Sequence, residues 1–448
     1  MSNRSSQGVE KPLIIPPRPS RKNVVRLLQK FPLHPDVKQY DYGTAGFRMH
    51  AEYLPPLMIR VGIIIALRAL QTQEHVGVMV TASHNDESYN GIKFADPHGG
   101  MVGPEQEEIA HVLANERDVK KLLNLIHELF VKYTQTNNLN QKISGKNQNH
   151  TQRSSSSSCA MVHIGRDTRS HSPYLSDLIV RTIESMGVTV KHHGVVTTPM
   201  LHHCVLHANP QYLPLMIPLR PNRTGYMELL AHAYWGLIQT LNNESATTTT
   251  LDPLIVDCAC GVGYSAIVQL NEAIQRVSCG SSHRRQLLAR NGPGEGPLND
   301  GCGSEAVQKK IQPPNWYSED ANSTTPSYAA SLDGDADRIV FFSSTDGNFQ
   351  MMDGDKISVL VCQFLQAQLD ELYAQNPTLP KLTLGVVQTA YGNGASTQYM
   401  QVSGLYALYI HVCMVSGGYG KVLTLLVYSY PLPIYSYVSR TEWDLTMY

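Results

Sequence analysis

The stretch Val76–Gly91, "VGVMVTASHNDESYNG", combines an apolar run with a polar segment of turn-forming residues. The run Val76–Val80 is apolar throughout and predicts a short buried strand. The residues from Asn85 onward are turn formers. Ser83 therefore follows the carboxyl end of a strand, where open α/β sheets place their ligand sites. A serine at this position is either a nucleophile or an ordinary turn residue.

Predicted strands and helices alternate on both sides of this stretch. A helical apolar segment, "LMIRVGIIIALRAL" at 57–70, precedes the strand. Further along, "MVHIGRDTRS" at 161–170 reads as strand, turn and helix, and "PLIVDCACGVG" at 253–263 is another apolar run that ends in glycines. Strands that alternate with helices predict an α/β fold.

Length and local composition suggest the domain boundaries. The chain has 448 residues, enough for about three domains. We predict an N-terminal lead-in at 1–37, a first domain at 38–208, a second at 209–320, a partial third at 321–402 and a divergent tail at 403–448. Residues 134–158 have almost no large apolar side chains, so we predict a disordered insertion within the first domain.

Composition narrows the range of partners. The net charge is -1 and no basic block occurs, so there is no electrostatic reason to expect nucleic acid or a membrane surface as partner. The tyrosine-rich tail is interrupted by glycine, lysine and proline, and it offers no clean apolar run of membrane-spanning length. The eight cysteines form no CxxC pair, which fits reduced thiols and predicts a cytoplasmic protein.

The hexapeptide "DGDADR" at 333–338 carries the strongest chemical signal. Asp333, Asp335 and Asp337 alternate on a tight loop after the strand-like "YAASL". Carboxylates spaced in this way can converge on one hard cation, and oxygen ligands suit Mg²⁺. The alternative is an Asp-rich solvated turn. Arg338 comes next and could neutralise phosphate charge, although an Arg after Asp is usually a surface ion pair.

The surroundings of Ser83 favour phosphate chemistry. His84 is its neighbour and Lys93 lies ten residues on, in "GIKFADPHGG". A serine that carries phosphate needs cations or a metal nearby to offset about two negative charges. Lys93 is a candidate proton donor or acceptor for a sugar hydroxyl, or else an ordinary surface lysine.

Three further motifs are compatible with phosphate binding. "YGTAGFR" at 42–48 combines glycines with Arg48, which could hold a phosphate in a bidentate manner. "GRDTRS" at 165–170 fits either a structural salt-bridge corner or a direct phosphate contact, and "DGDK" at 353–356 fits a turn and helix start. No nucleotide-binding P-loop or protein-kinase signature is present, so the phosphate is expected to come from the enzyme or from a sugar phosphate.

Taken together, these motifs resemble the α-D-phosphohexomutase superfamily and, within it, the phosphoacetylglucosamine mutase family. The resemblance covers about residues 38–402 and rests mainly on "TASHN" and "DGDADR". "GRDTRS" follows "TASHN" here, which is the motif order of that branch. The implied fold is a series of α/β/α domains with mixed sheets around a central cleft, with the third domain incomplete and the fourth absent.

The resemblance implies a role for each candidate residue. Ser83 matches the phosphoserine, and Asp333, Asp335 and Asp337, with the phosphate on Ser83, match the Mg²⁺ site. The residues expected around the transferring phosphate are Arg48, His84, Lys93 and Arg338. The implied activity is an intramolecular phosphotransfer that interconverts N-acetylglucosamine 6-phosphate and 1-phosphate through a 1,6-bisphosphate, in UDP-N-acetylglucosamine biosynthesis. The implied partner is therefore a small-molecule sugar phosphate.

Two departures from the family pattern leave alternatives open. Asp86 stands where the serine loop of the family has proline. Residues 403–448 contain neither the sugar-specificity loop nor the Arg-Pro-Ser-Gly-Thr phosphate loop of the family, so the substrate-binding residues stay unassigned. The alternatives are an inactive truncated variant that acts at most as a metal-binding or interaction protein, and a phosphoglucomutase or phosphomannomutase of the same superfamily.

Overall fold

The computed structural model describes most of the chain between Arg21 and Ser429. The described residues are 21–43, 45–144, 160–213, 219–244, 252–281, 284–319, 328–345, 348–379, 382–388, 393–402, 406–409 and 424–429. Their strands form three sheets of six, five and three strands. Each sheet contains both parallel and antiparallel pairs, as the sequence analysis predicts.

The first sheet has the strand order β1-β2-β4-β3-β5-β6. Its strands are β1 Tyr42–Gly43, β2 Gly46–His50, β3 His75–Val80, β4 Tyr89–Ala95, β5 Met161–Arg166 and β6 Thr189–Val195. The helices around it are α1 Arg21–Lys30, α2 Pro55–Thr72, α3 Pro104–Asn115, α4 Val119–Ser144, α5 Ser172–Ser185 and α6 Thr198–Ala208, with short 3-10 turns at Ala51–Tyr53 and Pro210–Tyr212.

The first sheet is covered on both faces because side chains alternate along its central strand. Val76, Val78 and Val80 of β3 join the apolar cluster that includes α2 and α5. Met79 points to the other face and packs with Leu201 of α6. The layers are therefore helix, sheet and helix. The predicted strand at Val76–Val80 is confirmed, and all five residues are buried.

Helix α2 is the core helix of this unit. Two prolines open it, where their missing N–H groups cost nothing, and most of its residues are buried. It is the one helix among the described residues that is long and apolar enough to cross a membrane, but 72% of that span is buried within the protein. Gly62 provides the close packing, since a Cβ there would lie 2.5 Å from Cβ of Thr182 on α5.

The second sheet has the strand order β11-β10-β9-β7-β8. Its strands are β7 Leu254–Asp257, β8 Leu287–Arg290, β9 Ala329–Leu332, β10 Ile339–Thr345 and β11 Asn348–Met352, and its helices are α7 Arg223–Glu244, α8 Gly263–Val277, α9 Gly303–Lys310 and α10 Asn315–Glu319. The predicted boundary at 320 lies within this sheet, because β9 pairs directly with β7. The strand that leads to Asp333 therefore shares a sheet with β7 and β8.

A three-stranded sheet in the order β13-β12-β14 follows. Its strands are β12 Leu382–Gln388, β13 Tyr406–Tyr409 and β14 Thr424–Ser429, and the helices are α11 Gly354–Gln375 and α12 Gly394–Val402. The predicted helix start at "DGDK" is confirmed, since the Asp353 side chain accepts a hydrogen bond from the N–H of Lys356. Two strands of this sheet come from the segment predicted as a divergent tail.

Two expectations about the first domain are wrong. Helix α1 lies inside the predicted lead-in, yet its Val24 and Leu28 are buried in the first core because its apolar face packs on α2 and α5. Helix α4 runs to Ser144, so the first part of the predicted insertion at 134–158 is helical. A helix anchored by buried residues such as Leu122 and Ile126 can propagate into a polar segment. Residues 145–158, and residues 1–20 of the lead-in, lie outside the described residues.

Candidate active site

The serine loop, residues 81–88, follows β3 directly and adopts a tight turn. Ser83 has a φ of 54°, in the left-handed region that non-glycine residues rarely adopt. The Thr81 hydroxyl accepts a hydrogen bond from the N–H of Ser83 at 2.9 Å, and the carbonyl of Ala82 accepts one from Asn85 at 3.1 Å. Ser83 is fully buried. A strained residue of this kind persists only where its surroundings hold it.

The acidic loop, residues 333–338, follows β9 and folds back on itself. The Asp333 side chain accepts hydrogen bonds from the N–H groups of Asp337 and Arg338 at 3.1 and 3.2 Å. Gly334 allows this loop to touch the serine loop, because a Cβ at this position would lie 2.7 Å from the carbonyl oxygen of Ser83. The two loops come from different sheets and meet at this contact.

The contact brings the predicted nucleophile to the predicted metal ligands. The Ser83 hydroxyl donates to Oδ2 of Asp333 at 2.6 Å, across 250 residues of sequence. Asp333, Asp335 and Asp337 each present an oxygen within 4.8 Å of the others. Burial and the two neighbouring carboxylates raise the pKa of Asp333 well above its usual range. The alternative of a solvated acidic turn is wrong, because Asp333 and Asp335 are fully buried.

The acidic cluster has the donor set of a divalent cation site. Its three carboxylates offer hard oxygen ligands. Oδ1 of Asp335 is buried and has no hydrogen-bond partner, which is costly unless a cation or another donor reaches it. The residues therefore fit Mg²⁺.

Lys93 already supplies positive charge to this cluster. It lies on β4, is buried, and its Nζ donates to Oδ2 of Asp335 at 2.7 Å and also to Asp337. Burial disfavours the ammonium ion, but the two carboxylates raise the pKa of Lys93 overall. Burial likewise opposes ionisation of Asp335, yet Lys93 and the hydrogen bonds from Lys93 and Thr198 lower its pKa. The reading of Lys93 as a surface lysine is wrong.

The other predicted residues surround the same cluster. Burial lowers the pKa of Arg48, with Asp335 among the charges that act on it, so its guanidinium lies within the field of the acidic loop. Arg338 lies 3.9 Å from Asp333 and 3.3 Å from Glu305. Burial and the charge of Arg338 lower the pKa of His84 to about 4, so its imidazole is neutral at pH 7. The structure thus brings all eight predicted residues together.

Sequence reasoning assigned no role to several residues that hold this site. Thr198 at the start of α6 donates through its hydroxyl to Oδ2 of Asp335 at 2.6 Å, and its N–H donates to the carbonyl of Asp335 at 3.1 Å. Arg169 and Asn299 hold the serine loop. The available signals were their motifs, such as "GRDTRS" for Arg169, and their position, since these residues follow β5, β6 and β8 at the same edge of two sheets. Arg169 satisfies the structural reading of "GRDTRS", because it pairs with Asp167 at 3.0 Å with both side chains buried.

Two family models match the chain. The model described as phosphoglucomutase/phosphomannomutase, alpha/beta/alpha domain I, matches residues 63–120 and 135–229. The model described as phosphoacetylglucosamine mutase AMG1, domain III, matches residues 353–435. The second match extends past residue 402, where the sequence analysis ended the third domain, and includes β13 and β14.

Curated relatives carry the same family name. The chain is 37% identical over 365 residues to the phosphoacetylglucosamine mutase of Homo sapiens, covering 80% of this chain and 58% of that protein. It is 34% identical over 384 residues to the phosphoacetylglucosamine mutase of Oryza sativa subsp. japonica, covering 84% and 62%. The chain therefore spans about three fifths of the length of these relatives.

Solved structures agree with the sequence relatives. An N-acetylglucosamine-phosphate mutase in the apo-form, described as a member of the alpha-D-phosphohexomutase superfamily, matches with a TM-score of 0.68 and 32% identity, covering 87% of this chain and 76% of that one. The Aspergillus fumigatus N-acetylphosphoglucosamine mutase matches at 30% identity in two complexes. A variant with glucose 1,6-bisphosphate gives a TM-score of 0.70 (87% and 65% covered), and the complex with GlcNAc-6P and magnesium gives 0.68 (88% and 66% covered).

Proposed function

Because this chain belongs to the phosphoacetylglucosamine mutase family of the α-D-phosphohexomutase superfamily, we propose that it interconverts N-acetylglucosamine 6-phosphate and N-acetylglucosamine 1-phosphate. The observation that carries this proposal is the hydrogen bond from Ser83 to Asp333, which places a strand-end serine at a cluster of three carboxylates, two of them buried. A serine there can carry phosphate only if cations offset its charge, and Lys93, Arg48 and Arg338 supply them.

The reaction is a double transfer through Ser83. In the first half, the C1 hydroxyl oxygen of the sugar 6-phosphate attacks the phosphorus on Ser83. A new P–O1 bond forms, the P–Oγ bond breaks, and a sugar 1,6-bisphosphate results. In the second half, Oγ of Ser83 attacks the 6-phosphate, and the sugar leaves as the 1-phosphate. Each half is balanced, since one P–O bond forms, one breaks and one proton moves between the two oxygens.

The residues on this chain divide the work. Ser83 is the nucleophile, and the left-handed turn exposes its Oγ to the acidic loop. Lys93 holds a proton on Nζ beside Asp335 and Asp337 and can exchange it with a sugar hydroxyl. Arg48 and Arg338 offset phosphate charge. His84, which is neutral at pH 7, can donate or accept one hydrogen bond at the transferring group.

A bound metal ion would complete the charge balance of the proposed site. Asp333, Asp335 and Asp337 would hold Mg²⁺ together with the phosphate on Ser83, and a relative was solved in complex with GlcNAc-6P and magnesium. The ion would supply charge that offsets the phosphoryl group during transfer. We propose a bound sugar 1,6-bisphosphate as primer, since a relative was solved with glucose 1,6-bisphosphate. The setting we propose is cytoplasmic UDP-N-acetylglucosamine biosynthesis.

The test is a mutase assay on the full 448-residue chain with N-acetylglucosamine 6-phosphate, Mg²⁺ and a trace of glucose 1,6-bisphosphate. We expect the 1-phosphate product from the wild type and none above background from Ser83→Ala. Ser88→Ala is the matched control, because Ser88 lies in the same loop but is exposed, and its hydroxyl donates to Asp86 rather than to the acidic loop. Equal rates for Ser83→Ala and the wild type would reject the proposal.

Substrate choice needs a second arm of the same assay. Glucose 6-phosphate and mannose 6-phosphate are offered in parallel at equal concentration. A preference for either over N-acetylglucosamine 6-phosphate would assign the chain to a different branch of the superfamily. No turnover of any of them, with no phosphate on Ser83, would leave the chain as an inactive member.

A further inference from the structure

Two carbonyl groups of the serine loop, those of Ser83 and Asn85, accept hydrogen bonds from the side-chain NH₂ groups of two other residues. Nη2 of Arg169 donates to the carbonyl oxygens of Ser83 and Asn85 at 3.2 and 2.8 Å. Nδ2 of Asn299 donates to the same two oxygens at 3.0 and 2.9 Å. We propose that Asn299 is a positioning residue for phosphoryl transfer, which holds Ser83 toward Asp333 by tying the serine loop to the second sheet. This inference rests on the proposed function.

We call the four hydrogen bonds from Arg169 and Asn299 to the carbonyls of Ser83 and Asn85 the clamp. Its donors and acceptors match in number. Each NH₂ group has two hydrogens, and each carbonyl oxygen has two lone pairs, so all four bonds can form at once. The clamp therefore saturates both carbonyls. It also determines which way the Asn299 amide faces, because the reverse orientation would set its Oδ1 against two carbonyl oxygens.

The two halves of the clamp are not equivalent. Arg169 follows β5 in the first sheet, next to the strand that leads into the serine loop, and it is fixed by its ion pair with Asp167. It also donates to the carbonyl of Asp86. Arg169 thus holds the loop within its own domain and stabilises the local fold.

Asn299 comes from the second sheet, which also carries the acidic loop. Its own N–H donates to the carbonyl of Ala259 at 3.0 Å. It packs against Gly334, where an added Cβ would lie 2.9 Å from Nδ2 of Asn299. Asn299 therefore fixes the serine loop relative to Asp333, whereas Arg169 fixes it relative to β5.

The strain at Ser83 gives this contact a consequence for the transfer step. The left-handed turn at Ser83 costs free energy and has to be maintained by its neighbours. Without the Asn299 half, the serine loop keeps its contacts with Arg169 and Thr81 but loses a direct tie to the second sheet, so we expect Ser83 to shift relative to Asp333 while the first domain stays intact. Because a displacement of about 1 Å can reduce a reaction rate by about 10²-fold, we expect the transfer step to slow by that order, with little change in KM.

The variants are chosen to separate positioning from folding. Asn299 has a φ of 61°, so Asn299→Gly removes the amide without new backbone strain, and Asn299→Asp keeps the size but replaces the NH₂ donor. The matched control is Asn291→Gly. Asn291 has a φ of 55° and its amide donates to Asp257, away from the serine loop.

The first measurement is amide hydrogen exchange of the full chain, over the peptide that spans residues 81–90. We expect exchange to rise about tenfold in Asn299→Gly, on the scale of one to two lost hydrogen bonds, and more in Asn299→Asp. Asn291→Gly is expected to match the wild type. Unchanged exchange in both Asn299 variants would overturn the clamp.

The second measurement is the rate at which Ser83 takes up phosphate from glucose 1,6-bisphosphate in the presence of Mg²⁺. The mass of the intact chain reports this rate. Loading that slows about 10²-fold in both Asn299 variants, but not in Asn291→Gly, supports positioning. Loading at the wild-type rate despite faster exchange would overturn it. If Ser83 of the wild type takes up no phosphate, the proposed function has failed. Amide hydrogen exchange alone then tests whether Asn299 holds the serine loop.

Discussion

Two clusters of titratable side chains in this protein, each with a buried centre, handle charge in opposite ways. The acidic cluster of Asp333, Asp335 and Asp337 keeps charge in the interior with Lys93 as its counterion. Within the part of the chain that the structure describes, the histidine chain of His75, His163 and His193 forms no ion pair with a carboxylate. Nδ1 of His75 lies 2.9 Å from Nε2 of His163, and Nδ1 of His163 lies 3.0 Å from Nε2 of His193.

The pKa values follow from this difference. Burial and the neighbouring histidines lower the pKa of His163 to about 2, and burial with Lys191 lowers that of His193 to about 4. The histidine chain is therefore neutral at pH 7, so its burial does not carry the free-energy cost of desolvating a charge. A buried ionic cluster is expensive, because desolvating charges costs free energy and replacing them with apolar groups is often favourable. The comparison therefore sets a costly ionic cluster against a neutral polar contact.

The largest expected effect comes from removing the counterion. Lys93→Met leaves the acidic cluster without its ammonium, so the free energy of unfolding in a chelator should fall by about 3–5 kcal/mol. Chemical denaturation measures this value. The control is Arg181→Met, because Arg181 pairs with Asp177 at the same 2.7 Å but at the surface, where the expected loss is about 0–1 kcal/mol. Equal losses in the two variants would mean that burial of the acidic cluster carries no special cost.

Mg²⁺ provides the next test, because it should stabilise one cluster and not the other. At a free concentration of 100 Kd, an ion that binds only the folded chain adds about 2.7 kcal/mol to the free energy of unfolding. Thermal unfolding with and without Mg²⁺ measures the shift. We expect Asp335→Asn to lose the shift and His163→Gln to retain it. A full Mg²⁺ response in Asp335→Asn would place the ion elsewhere.

The histidine chain should make the protein sensitive to acid. His163 has a folded pKa near 2 and an ordinary unfolded value of 6.5, so between these values only the unfolded state binds the proton. The free energy of unfolding therefore keeps its full value with respect to this group above pH 6.5. Below pH 6.5 it falls by about 1.4 kcal/mol per pH unit because of this group. Denaturation from pH 7 to pH 5 measures the slope.

The matching variants show whether His163 causes that slope. His163→Gln cannot take up the proton and should reduce the slope by the share of this one group, about 1.4 kcal/mol per pH unit. The control, His127→Gln, changes an exposed residue on α4 and should leave the curve as it is in the wild type. If all three proteins show the same slope, the acid sensitivity has another source.

Local pattern was enough to predict much of the fold. The apolar run Val76–Val80, the alternation of helices and strands, and the helix start at Asp353 are properties of short windows. The lead-in and the polar end of α4 were missed for a different reason. Their helices depend on packing against α2 and α5 or on propagation from a buried segment, and short windows do not report such contacts.

The sequence by itself determined which chemical groups are available. A serine after an apolar strand, three alternating aspartates and a nearby lysine favoured phosphate and a hard cation but left a structural alternative open for each. Only the tertiary structure decided the geometry, because the hydrogen bond from Ser83 to Asp333 joins residues 250 positions apart. It also decided that Lys93 is a buried counterion, that Thr198 supports Asp335, and that Asn299 holds the serine loop. Such roles depend on where two sheets meet, and no spacing along the chain encodes that meeting.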